Sequence, residues 1–172
     1  MQFKVGEKVI YPNQGVGVIE EICMKSIAGK KQEFYLLKMM SNNMVSSNST
    51  VMVPTENVKN VGLRKLCNKK QLDFLLEILE DGSSELNTDW KNRYKNNVLR
   101  MTSGSIFEVA KVLKNLFFLS FQKSLSFREK KMYDRAHELV VSEIATVRRL
   151  PLSEVEELVV GLLTESYKRL KV

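Results

Sequence analysis

Trp90 is the chain's one tryptophan, and it stands in a polar run: Asn87-Thr88-Asp89-Trp90-Lys91-Asn92-Arg93-Tyr94-Lys95. An aromatic in such company either packs into a nearby core or is aimed at a partner. The cations that follow it suggest a partner rich in phosphate. Residues 91–135 hold eleven Lys/Arg against three Asp/Glu, a local net charge of +8, while the whole chain carries +7. One internal block therefore accounts for all of the excess. A concentrated positive field attracts polyanions and speeds encounter with them. The bland alternative is a solvated lysine-rich helix face.

Catalytic chemistry finds little support. The sequence has no phosphate-binding glycine loop and no nucleophile elbow. Its single histidine, His137, sits amid helical residues and reads as structural. Cys23 and Cys67 are far apart, without metal-ligand spacing, and read as free buried thiols of a reducing cytosol. The carboxylates of the basic block, Glu108, Glu129 and Asp134, are too scattered to suggest a metal-dependent nuclease. The expectation is a protein that is not an enzyme and needs neither cofactor nor metal. The start, Met1-Gln2-Phe3-Lys4-Val5-Gly6, lacks the apolar run of a signal peptide, and no stretch is long enough to cross a bilayer. A cytoplasmic protein is expected.

Two kinds of element must position these residues. The first sixty residues carry a period of two. Phe3, Val5, Val9 and Tyr11 alternate, and Pro12-Asn13-Gln14-Gly15 signals a turn. Val16 to about Met24, Gln32 to Met40, and Val51-Met52-Val53 read as further strands, the last stopped by Pro54. Ser41 to Thr50 reads as a polar loop interrupted by Met44-Val45. Four or five short strands predict a small, bent antiparallel sheet or barrel, with Gly15 and Gly17 at its corners.

Beyond Val61-Gly62 the period becomes about 3.6. Leu72, Leu75, Leu76 and Leu79 form the stripe of a helix closed by Asp81-Gly82. Thr88 or Asp89 can cap the next helix, which puts Trp90 in its first turn. Ser105, Ser126 and Ser153 each have glutamate three residues on, at Glu108, Glu129 and Glu156. That spacing lets serine and glutamate satisfy each other's free backbone N–H groups, and it predicts helices over 106–122, 127–149 and 154–170. The fold class is thus two domains, β then α: a β module at 1–60 and a compact bundle of about five helices at 61–172.

The order of several segments resembles the bacterial CarD/CdnL family of transcription regulators. The opening Phe3-Lys4-Val5-Gly6-Glu7-Lys8-Val9-Ile10-Tyr11-Pro12 with Gly15-Val16-Gly17 carries part of the likeness. Val51-Met52-Val53-Pro54, Val61-Gly62-Leu63-Arg64, Thr88 to Asn97 with Ser103-Gly104, and Leu125-Ser126 with Glu129-Lys130-Lys131-Met132 carry the rest. The resemblance implies a Tudor-like N-terminal module that binds the β subunit of RNA polymerase. It implies a helical module that binds promoter DNA in the minor groove with weak sequence preference, at the upstream edge of the melted bubble. Trp90 matches the wedge that favours the open complex. Arg93, Lys95 and Lys130 match phosphate contacts, and Lys131 and Arg128 extend that patch at a helix start. The polymerase-binding positions carried over are Lys25, Val51, Met52, Val53 and Pro54; Met52 stands where some relatives have arginine. The expected state is a monomer at the nucleoid through polymerase, with no membrane contact. The competing reading is a stand-alone, non-specific DNA-binding or nucleoid protein without a polymerase tether.

Overall fold

The computed structural model describes residues 2–40, 49–85 and 89–170. The chain divides into two compact units, Met1–Leu66 and Cys67–Val172.

The first unit is a five-stranded antiparallel sheet. Its strands are β1 (Lys8–Tyr11), β2 (Gly15–Ile27), β3 (Lys30–Met39), β4 (Thr50–Pro54) and β5 (Arg64–Lys65), in the spatial order β4-β3-β2-β1-β5. A 3-10 turn at Thr55–Asn57 and one α-helical turn, α1 (Val58–Val61), lie between β4 and β5. Phe3, Val9, Ile19, Tyr35, Leu37, Met39, Val53, Val58 and Leu63 form the core. Full burial of such a side chain contributes roughly 1.5–3 kcal/mol.

Three expectations need correction here. The alternation from Phe3 does not start a strand, because Lys4 to Glu7 turn back on themselves. The Glu7 N–H donates to the Lys4 carbonyl at 3.0 Å, and the Lys4 N–H donates to the Glu7 carboxylate at 3.0 Å. Phe3 is nevertheless buried; its N–H donates to the Tyr35 hydroxyl at 3.1 Å. The boundary expected at residue 60 lies after Leu66, because Arg64 and Lys65 pair with Ile10 and Val9. Gly15 does sit at a bend, with φ 93°. Gly17 serves another purpose: a Cβ there would come within 3.1 Å of the Met39 sulfur, so it lets β2 and β3 approach closely. The loop from Ser41, with Met44-Val45, lies almost wholly outside the described residues.

Among its described residues the second unit holds five long helices: α2 (Lys69–Glu80), α3 (Trp90–Thr102), α4 (Ile106–Gln122), α5 (Phe127–Arg148) and α6 (Leu152–Leu170). α4 is the central helix. It is apolar on almost every side and packs against α2, α3, α5 and α6. Its one buried cation, Lys114, donates to the carbonyls of Ile78 at 2.8 Å and Asp81 at 2.9 Å. These are acceptors that the end of α2 leaves without helical partners.

Of the three serine boxes, only Ser126 with Glu129 forms in full. Ser105 precedes α4 without a side-chain cap bond. Ser153 lies inside α6, which starts one residue earlier behind Pro151. The ring before a helix supplies fixed φ and needs no N–H, so the start there does not depend on a serine cap. A box outside the serine pattern, Asn68 with Gln71, opens α2.

His137 is half-buried on α5, its ring 6.1 Å from that of Tyr133. Burial holds its pKa below the ordinary 6.5, against the raising influence of Glu156 and Asp134; nearby Lys130 adds to the lowering. The unfolded chain therefore binds a proton that the fold resists. That contribution is complete above pH 6.5 and is lost as pH falls through the depressed folded value. Urea titrations at stepped pH should show stability declining on acidification from pH 6.5. The His137→Gln variant should lose that segment of the slope; an unchanged slope would refute it.

Candidate nucleic-acid interface

Asp89 caps α3: its carboxylate accepts from the Lys91 N–H at 3.1 Å and from the Asn92 side-chain amide at 2.7 Å. Thr88, the other candidate cap, lies outside the described residues. Trp90 is the first residue of the helix. At 100° per residue it continues the inward stripe of Arg93, Asn97 and Met101, all three buried. Trp90 stands one turn beyond that buried run, and it is 53% exposed. The choice between core packing and outward projection falls towards projection. The cause is position at a helix end rather than helix face.

Arg93 departs from expectation. It is only 5% exposed, and both its Nε (3.2 Å) and its Nη2 (2.7 Å) donate to Glu129 Oε1 on α5. It is therefore withdrawn from the phosphate-contacting set. The other oxygen, Glu129 Oε2, accepts from the Ser126 N–H at 3.0 Å and the Ser126 hydroxyl at 2.9 Å. Burial opposes the charge on Glu129. The bonds from Arg93 and Ser126, with the Arg93 charge, outweigh that burial and hold the carboxyl below its ordinary 4.5. The pair ties the first turns of α3 and α5 together. The Arg128 guanidinium reinforces this contact, lying 5.9 Å from the Tyr94 ring centroid.

The remaining expected contacts are exposed. Lys95 is exposed on α3, and Arg128, Lys130 and Lys131 are exposed on the first turn of α5. Lys130 pairs with Asp134 at 2.7 Å, both largely in solvent, where such pairs contribute little and exchange readily. Lys91, outside the expected set, is also exposed beside Trp90. Other cations of the basic block are engaged internally. Arg100 bonds Glu85 and lies 3.4 Å from Glu108, Lys111 pairs with Glu108 at 2.8 Å, and Arg135 pairs with Glu138 at 2.6 Å. The outward positive charge is thus concentrated near the starts of α3 and α5. Among the described residues there is no His/Cys/Asp/Glu group suited to a metal ion, and no helix is long and apolar enough to cross a membrane.

In the β unit, β4 is an edge strand of the described sheet. Met52 is 39% exposed, and the Lys25 ammonium lies 3.3 Å from its sulfur. Val51 and Pro54 are half-buried. Val53 is a correction: its side chain is in the core and does not face a partner. Cys67 is buried as expected, whereas Cys23 is only half-buried; among the described residues neither takes part in a disulfide.

Known proteins share both halves. Residues 3–67 match the CarD-like/TRCF RID domain model, and residues 74–160 match the CarD C-terminal domain model. YdeB of Bacillus subtilis (strain 168), whose name carries a provisional transcription-factor designation, is 32% identical over 154 residues. That match covers 90% of this chain and 97% of YdeB. The solution NMR structure of the 72-residue N-terminal domain of Myxococcus xanthus CarD is 38% identical. It covers 37% of this chain and 79% of that one, with a TM-score of 0.31.

A RID-type sheet followed by a CarD-type helical bundle defines a transcription regulator. The chain belongs to the CarD/CdnL family.

Proposed function

We propose that the β unit docks on the β subunit of RNA polymerase while the helical unit binds promoter DNA at the upstream edge of the bubble. In this reading the protein stabilises the open complex and performs no catalysis. The observation that carries it is Trp90, exposed at the first position of α3 amid outward cations. An aromatic entering between base steps partly unstacks them, at a cost on the order of a few kcal/mol. The bubble edge already has an unstacked step, so insertion is easiest there. A ligand that prefers one state shifts the equilibrium towards it. Lys95, Arg128, Lys130 and Lys131 fix register through phosphates and do not read sequence.

The RID-type match supports polymerase as the partner of the β unit. The β4 edge, with Lys25 and Met52 beside it, offers the strand-pairing mode of recognition. Tethering raises the effective concentration of the helical unit at the promoter, so neither contact need be tight alone. Capture by a β-subunit fragment tests this. The expected result is binding at micromolar concentration that a charge reversal at Lys25 weakens. No capture at that concentration would remove the tether and leave a stand-alone DNA-binding protein.

A further inference from the structure

α5 opens as α3 does. A capping residue, Ser126, is followed at the first helical position by a large aromatic, Phe127. Phe127 is 74% exposed, the most exposed large apolar side chain among the described residues, and it is not part of the helical core. Its ring lies 4.6 Å from the Lys131 ammonium. A lone exposed aromatic would call for no explanation. This one has a particular setting. Trp90 stands three residues before Arg93, and Phe127 two before Glu129, so each is within one turn of the ion pair that joins the two helix starts. The two exposed rings therefore project from neighbouring starts. The field around Phe127 is net positive: Arg128, Lys130 and Lys131 face solvent, Asp134 offsets Lys130 alone at 2.7 Å, and the carboxylate of that first turn, Glu129, is buried against Arg93. The apolar centres of protein–protein interfaces are depleted in charge, which disfavours a protein occupant here. An aromatic with cations beside it is the arrangement that holds single-stranded nucleic acid, the ring stacking on a base and the cations meeting phosphates.

We propose that Phe127 is a second aromatic contact to nucleic acid. Its ring stacks on an unpaired base of the melted strand next to the junction held by Trp90, and Lys131 meets the adjacent phosphate. This rests on the reading of the helical unit as DNA-binding.

The test uses the full chain and fluorescence anisotropy with two labelled DNAs: a fork with unpaired strands, and the same duplex closed. Phe127→Ala should weaken fork binding about fivefold or more. It should leave closed-duplex binding within about twofold and leave the salt slope unchanged, since no charge is removed. Lys95→Ala, by contrast, should lower that slope by about one. In a second measurement, W90F combined with F127W moves the only tryptophan to position 127, and its emission should be quenched by the fork. Wild-type affinity of Phe127→Ala for the fork, with Lys95→Ala still impaired, would overturn the proposal and leave the DNA reading standing. A wild-type chain that binds neither DNA would overturn both. Loss of β-fragment capture by Phe127→Ala with unchanged DNA binding would assign the ring to a protein partner and overturn the proposal.

Discussion

Replacing Arg93 with methionine is expected to destabilise the helical unit by about 3–5 kcal/mol. Arg93 and Glu129 are both almost fully buried, and each supplies the other's neutralising charge. Removing one partner strands the other in a poorly solvated site, which is costlier than losing the attraction itself. A change of this size lowers the melting temperature by more than about 10 °C in a unit of roughly one hundred residues. Glu129→Gln should act in the same direction, and it should also weaken the Ser126 cap. Substituting both residues with apolar ones of similar volume should recover much of the loss, since a well-packed apolar pair can match a buried ion pair. The sole tryptophan lies in this unit, so its emission reports the relevant transition. A melting temperature for Arg93→Met within about 2 °C of wild type would show that the pair carries no such weight. Acid should mimic the substitution in part. Glu129 titrates below 4.5 in the fold, so its stabilising contribution is present above that value and is lost as pH falls through the depressed one.

Trp90→Ala should shorten the half-life of the promoter open complex by about tenfold, the equivalent of about 1.4 kcal/mol. Aromatic stacking on a base contributes roughly 1–3 kcal/mol, so the effect is of a measurable size. Capture by the β-subunit fragment should be unchanged, because Trp90 and β4 lie in different units. Thermal stability should change little, since the residue is already about half exposed. Competitor-challenge decay of preformed complexes reads the lifetime directly. Equal lifetimes for variant and wild type would remove the wedge from the mechanism.

Periodicity made the helices legible. The expected spans of α4 and α5 fall within a residue of those observed, because long apolar stripes leave little choice of face. Short elements were harder. β5 is two residues long and is defined by its pairing with β1, a tertiary contact with no local signal. The S-x-x-E pattern marked the beginning of α6 near Ser153, although Pro151 acts there instead. Charge was the least transparent property. Arg93 and Lys95 are two residues apart and identical in sign, yet one faces the interior and the other solvent. Only the stripe Arg93, Asn97, Met101 distinguishes them, and a row with just one apolar member does not announce itself as buried. The spacing from Ser126 marks Glu129 as half of a helix cap. It serves that role and neutralises Arg93 as well, one oxygen to each task. Trp90 was legible in kind but not in pose, since a residue at a helix start can point either way.

The Arg93–Glu129 joint has a mechanical consequence. A wedge transmits no more force than its mounting resists. The ring of Trp90, a wedge only under the proposed function, sits on the first turn of α3, the part of an isolated helix most prone to fraying. Two nitrogens on one oxygen anchor that turn, one turn behind the ring, to a second helix, which is the arrangement of a bracket. Were the bracket more compliant than the stacked bases, the helix end would yield before the bases parted. Softening the joint should therefore blunt the wedge even with the indole ring intact.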